Sequence, residues 1–172
     1  FETTKAFFGT MGFLFVLLPI IFIGIPYKIL SSPNHSLLFD IGPFRYFGWV
    51  LIIAGVLIYF WCSLSFVFSG KGTPIYTMPP KKIVVSGLYR FVRNPMYIGA
   101  FLILTGEVLL FQSQDLLAYF LLMFAIINVH VLAFEEPRLS DLFGESYKHY
   151  WASVRRWIPR LTPYCENNSE SQ

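Results

Sequence analysis

The chain has 172 residues, 55% of them hydrophobic and only 13% charged, with a mean hydropathy of +0.57 and a net charge of +3. Soluble domains are nearer a quarter charged, and here the apolar residues fall in runs that reach the roughly 20 residues a bilayer-crossing helix needs. A soluble domain is excluded, no nucleic-acid partner is expected, and the prediction is an all-α, polytopic membrane protein with a single domain over residues 1–166. Cys62 lies in an apolar run and Cys165 in the polar tail, which excludes a disulfide framework and a zinc site, so no metal is expected.

The first predicted span is about residues 6–30, interrupted by Pro19 and Pro26. It is too long for a signal peptide and lacks a small-residue cleavage site. The second span is about 43–68, with Trp49 and Trp61 as interfacial aromatics. Gly48 and Gly55, seven apart on one face, invite close helix packing. Residues 69–94 form the longest polar loop, with turn signals at Ser69–Pro74 and Met78–Pro80 and a short extended run at Ile83–Val85. The third span is about 95–112 and the fourth about 116–136. Only Ser113-Gln-Asp115 separates them, so they must form an antiparallel hairpin. An amphipathic interfacial helix is expected over 145–158, where Tyr147, Tyr150, Trp151, Val154 and Ile158 recur at helical spacing with Lys148, Arg155 and Arg156 on the flanks. Residues 167–172 form a polar tail, expected to be disordered.

Lysine and arginine concentrate at the N-terminus, in the long loop and near the C-terminus, with only Lys28 and Arg45 between the first two spans. Four spans collect these charges on one side and put both termini in the cytoplasm. The expected location is the inner membrane of a bacterium or the endoplasmic reticulum of a eukaryote.

The stretch Gly87–Gly99 presses a basic run directly against an apolar helix. Asn94 is a good N-cap and Pro95 a good first helical residue. Arg90 and Arg93 stand three apart, which on a helical turn would give them one face. Free backbone N–H groups, two arginines and two tyrosines at one boundary make a cradle for an anionic or zwitterionic ligand. A positive-inside anchor with interfacial tyrosines would produce the same pattern.

Folding the hairpin about Ser113 and Gln114 brings Glu135 level with Val92, Glu136 with Phe91, His130 with Tyr97 and Asn128 with Gly99. The acidic pair therefore meets Arg93 and Asn94 at the boundary. A plain salt bridge closing the hairpin is the simple reading. Two carboxylates against one nearby arginine leave charge over, which suits a cationic ligand. Asn128 and His130 continue the polar stripe into the membrane as candidate substrate contacts, and polar groups at that depth are costly unless they serve a partner. His130 also reads as an ordinary packed polar residue. Glu107, near the middle of the third span, reads as a buried carboxyl bonded within the bundle or as a proton acceptor.

The motif Ser-Gly-Leu-Tyr-(x3)-Arg-Asn-Pro-Met-Tyr-Ile-Gly is followed by a hairpin and then by Glu-Glu-(x6)-Phe-Gly-(x2)-Tyr-(x2)-Tyr. In order and at this separation, they resemble the isoprenylcysteine carboxyl methyltransferase family, whose broader group includes phospholipid N-methyltransferases and membrane thiol methyltransferases. The resemblance covers roughly Lys81–Pro159. It implies S-adenosylmethionine as methyl donor, at the cytoplasmic end of the last two helices, and a lipophilic or lipidated substrate dissolved in the bilayer. It implies adenosine contacts from Lys81, Lys82, Ile83, Val84 and Tyr89. Contacts to the methionine part and ribose are implied for Asn94, Pro95, Met96, Tyr97 and Glu135, with Arg93 and Glu136 beside them. His130 and Glu107 are the candidates to assist deprotonation if the acceptor is an amine. Two positions depart from the family pattern. Asn94 stands where histidine is usual, so hydrogen bonding survives there but titration near neutrality does not. Val131 stands where prenylcysteine enzymes carry an arginine for the substrate carboxylate.

Overall fold

The computed structural model of the protein describes residues 19–32, 40–65 and 85–165. Expectations for the start of the first span, for Lys81, Lys82, Ile83 and Val84, for most of the long loop and for the polar tail lie outside the described residues. Among the described residues every regular element is helical. A π-helical turn, Ile20–Gly24, leads into α1, Ile25–Leu30; a 3-10 turn, Gly42–Tyr46, leads into α2, Phe47–Ser65; and a second 3-10 turn, Gly87–Arg90, precedes α3, Pro95–Phe111. Then come α4, Gln114–His130, a π-helical turn, Val131–Glu135, and α5, Glu136–Ser153. Gly42–Ser65 and the continuous stretch from Gln114 are long and apolar enough to cross a membrane, while Ile20–Leu30 and Pro95–Phe111 are shorter apolar helices.

The boundary between α3 and α4 follows from two residues. Gln112 takes a left-handed conformation, φ 52°, and its N–H closes the last turn on the Val108 carbonyl. Ser113 then caps α4, its Oγ accepting from the Leu116 N–H at 3.3 Å. The chain reverses there, as the short polar turn predicted.

Proline shapes two helices in the same way. Pro26 and Pro137 lack an N–H, and each ring crowds the carbonyl four residues back. In both places the backbone widens into one π turn that ends two residues before the proline. The fourth predicted span accordingly does not stop near Glu136: the helix runs on through the π turn into α5. This corrects the expected break over 137–144. Gly144, with φ 54° and ψ −127°, kinks α5 in a conformation glycine takes with little strain. The interfacial helix predicted to reach residue 158 ends instead at Ser153, and Val154 is extended.

From there the chain returns as a strap along the loop before α3. The Arg93 N–H donates to Arg155 O at 3.0 Å, the Arg160 N–H to Phe91 O at 2.8 Å, and the Tyr164 N–H to Arg90 O at 2.8 Å. Arg90 reinforces the strap, its Nε donating to Tyr164 O at 2.9 Å. Arg93 turns elsewhere, so the two arginines do not share a helical face; the backbone at 91–93 is not helical.

The most extensive contact is between α2 and α3. Its seam is built from glycine on both sides. A Cβ at Gly55 would sit 2.5 Å from Gly99 O, and one at Gly106 2.5 Å from Gly48 O. Gly48 and Gly55 thus meet Gly106 and Gly99, two seven-residue repeats facing each other, as expected for helices that associate by close backbone approach. Many large apolar side chains point outward, including Leu57 at 65% exposure and Phe134 at 62%. An apolar exterior of that extent fits contact with lipid rather than water, and the apolar helices point to a membrane protein.

Candidate active site

The site forms where α3 begins and α4 ends. Pro95 opens α3 and Asn94 holds the N-cap position, as predicted, but the Asn94 side chain makes no capping bond. It is buried, and its Nδ2 has no hydrogen-bond partner. Arg93, the neighbour, stands with Nη1 3.0 Å from Glu136 Oε1. That approach is an ion pair by distance but is not aligned as a hydrogen bond, so Arg93 Nε and Nη1 are also buried donors without an acceptor. The Arg93 guanidinium lies 5.2 Å from the Trp151 ring centroid, a cation–π contact.

The two carboxylates divide their partners. Glu136 takes a two-pronged bond from Arg156, Nε to Oε1 at 2.7 Å and Nη2 to Oε2 at 2.8 Å, in addition to the ion pair with Arg93. Glu135 accepts from the Tyr97 hydroxyl at 3.0 Å and, among the described residues, makes no ion pair with lysine or arginine. The hairpin count sets one arginine against both glutamates. The structure adds a second: Arg93 and Arg156 both serve Glu136, and Glu135 meets the Tyr97 hydroxyl instead. His130 packs its ring on Phe134, with ring centroids 5.8 Å apart.

The other predicted residues separate. Tyr89 and Met96 pack in the α2–α3 core with Cys62 and Ala100, and Pro95 is fully buried. Asn128 gives Nδ2 to the Phe124 carbonyl at 2.8 Å and accepts from Trp157 Nε1 at 3.1 Å, so both of its side-chain polar atoms have protein partners. Glu107 is not brought to this site. It stands twelve residues beyond Pro95, about 18 Å along the helix at 1.5 Å per residue, and lines a different cavity with Ile103 and Leu110.

Arg156 and Trp157 are part of the site although the sequence reading had left them on an amphipathic helix. Trp157 leaves the strap to cover the hairpin cleft, with ring centroids 6.4 Å from Tyr97, 5.6 Å from Phe101 and 6.4 Å from Phe124. Pro159 was the available signal, since helices usually end before a proline. Behind the strap, Tyr150 donates to the Tyr89 carbonyl at 2.6 Å. Burial pushes the Tyr147 hydroxyl up to about 12 and raises that of Tyr150 further, so both remain neutral hydrogen-bonding groups.

Comparisons with known proteins bear on the family of the chain. The phospholipid methyltransferase family model matches residues 43–146, more than half of the chain. The Schizosaccharomyces pombe protein-S-isoprenylcysteine O-methyltransferase is 32% identical over 80 residues, 46% of this chain and 34% of that protein. A methanethiol S-methyltransferase from Crocosphaera subtropica is 25% identical over 125 residues, 71% of this chain and 46% of that protein. A probable protein-S-isoprenylcysteine O-methyltransferase from Oryza sativa subsp. indica is 27% identical over 119 residues, 66% of this chain and 60% of that protein. The chain therefore spans about a third to three-fifths of the length of these relatives. No solved structure matches it significantly. The match runs from α2 through the paired carboxylates and into α5, and on that extent the chain belongs to the phospholipid methyltransferase family.

Proposed function

We propose that the protein transfers a methyl group from S-adenosylmethionine to a lipophilic acceptor that reaches the site from the bilayer. The observation that carries this reading is the pairing, at one end of the hairpin, of buried donors without acceptors and a carboxylate without an arginine. Asn94 Nδ2 and Arg93 Nε, buried donors without an acceptor, match a carboxylate. Glu135, oriented by Tyr97, matches an ammonium. The cofactor's methionine part carries both groups, so the residues fit it. When bound, S-adenosylmethionine supplies a sulfonium-activated methyl group. Lys81, Lys82, Ile83, Val84 and Tyr89 are proposed for the adenosine, on the resemblance alone.

The chain's own contribution is alignment and exclusion of water. Methyl transfer is an in-line displacement, and holding the reactants in register removes much of its entropic barrier. Trp157, Trp151 and the strap cover the polar end of the cleft, which strengthens the electrostatic contacts inside it. Asn128 acts here as a positioning residue for Trp157, and His130, beside Glu135, is the group available to accept a proton from an amine acceptor.

A specific observation bears on the acceptor. Val131, at the position where prenylcysteine enzymes carry an arginine, is fully buried, and Arg156 and the Nη1 of Arg93 are already paired with Glu136. An amine or thiol acceptor suits this wall better than a carboxylate. The test presents methyl-tritiated S-adenosylmethionine to the chain in nanodiscs with phosphatidylethanolamine, a long-chain thiol or N-acetyl-S-farnesylcysteine. Label on the amine or the thiol is the expected result. Label on the farnesylcysteine alone would reverse the acceptor assignment, and no cofactor binding at all would leave a lipid-binding scaffold.

The proposed topology has four spans with both termini cytoplasmic, supported by the lysine and arginine distribution. Cysteines introduced at positions 75 and 160 should label from the cytoplasmic face and one at position 35 from the other. Labelling of 75 and 35 from the same side would overturn it.

A further inference from the structure

Glu107 has no part in the site just described, yet it is built into the fold at evident cost. It is 8% exposed, and its Oε2 has no hydrogen-bond partner. Ionisable groups inside a membrane bundle are costly unless something compensates them. Glu107 is among the residues that line a cavity of about 600 Å³ between α1, α2 and α3, within the range of pockets that take small molecules. The wall is otherwise apolar and rich in aromatic rings: Phe22, Tyr27, Trp49, Tyr59, Phe60 and Phe111. Tyr27 at 70% exposure and Phe60 at 50% stand at the rim, so the cavity is open toward the lipid side. Glu107 lies four residues before the end of α3, about 6 Å along the axis, in the half of the bundle remote from Asn94.

We infer that this cavity is a second binding site, selective for a lipophilic amine: an ammonium head group on the Glu107 carboxylate, with its hydrocarbon against the aromatic wall. Two features choose an amine over other amphiphiles. An ammonium supplies the hydrogen-bond donors that Oε2 lacks together with the opposite charge, a charge-assisted pairing. Aromatic faces attract cations, most strongly where water is excluded. A fatty acid would set one acid against another, and an alcohol brings no positive charge to the carboxyl. The inference is independent of the proposed methyl transfer, because the two sites stand at opposite ends of α3.

Native mass spectrometry of the full chain in detergent, titrated with dodecylamine, dodecanol or sodium dodecanoate, tests it. The wild-type chain should take up one dodecylamine saturably, with dodecanol weaker and dodecanoate not bound. Glu107→Gln keeps the shape and removes the charge; it should lose dodecylamine affinity at least tenfold while dodecanol binding stays within about threefold. Val56→Phe, which fills the cavity without touching the carboxyl, should weaken both. Equal binding of amine and dodecanoate, equal amine affinity in wild type and Glu107→Gln, or no saturable amine binding by the wild type would each overturn the assignment.

Discussion

Glu136→Gln should destabilise the protein by about 3 kcal/mol, at the lower end of what breaking a buried ion pair costs. Among the described residues Glu136 is the only carboxylate holding both Arg93 and Arg156, whose side chains are 9% and 23% exposed against its own 13%. An amide there would leave two guanidiniums close together, poorly hydrated and without a counter-charge. The partial exposure of Arg156 moderates the effect, because water can reach it. Arg156→Gln should cost less, about 1–3 kcal/mol, since the pairing of Arg93 with Glu136 survives. Both values are read from denaturant unfolding in a fixed detergent. The strap depends on the same charges, so protease cleavage between Ser153 and Tyr164 should accelerate in Glu136→Gln before the helices unfold. Stability of that variant within 0.5 kcal/mol of wild type would show that the triad is dispensable.

Glu135→Gln should have the opposite profile, with little change in stability and a large loss of cofactor affinity. Among the described residues Glu135 accepts from the Tyr97 hydroxyl and pairs with no arginine or lysine. A charge-assisted hydrogen bond to the cofactor's ammonium contributes about 1.5–3 kcal/mol, so S-adenosylmethionine should bind roughly tenfold to a hundredfold more weakly. Tyr97→Phe removes a neutral donor that orients the carboxylate and should cost about 0.5–1.5 kcal/mol. The double variant should lose less than the sum of the two, because Tyr97 acts through Glu135. Isothermal titration of wild type, both singles and the double decides it. Full-strength binding by Glu135→Gln would remove this carboxylate from the site, and the methyl-transfer reading would then rest on family membership alone.

The two variants concern adjacent residues, and the sequence could not tell them apart. Counting back from the turn at Ser113 places both glutamates beside Arg93, but only to within one helical turn. Neighbouring helical positions differ by about 100° in direction, so which one meets which partner depends on helix rotation. The π turn at Val131–Glu135 changes that rotation immediately before the pair. Its cause, Pro137, was visible in the sequence. Its consequence was not, because a proline in an apolar helix can end it, bend it or widen it, and the packed neighbours decide which.

Local chemistry by itself determined the start of α3 at Asn94–Pro95, the reversal at Gln112–Ser113 and the glycine face of α2. Each of these depends on the conformational limits of one or two residues or on a fixed helical period. Family membership was legible for a related reason: its motifs sit on those same local features. Only the tertiary structure decided that Arg156 reaches Glu136 and Trp157 reaches Tyr97, that Glu135 meets the Tyr97 hydroxyl rather than an arginine, and that Glu107 lines a cavity away from them. Arg156 reaches Glu136 from twenty residues away through a non-helical strap held by three backbone hydrogen bonds to residues 90–93. No periodicity carries that contact, since it exists only once α3, α4 and α5 have packed and the returning chain has found its unpaired backbone groups.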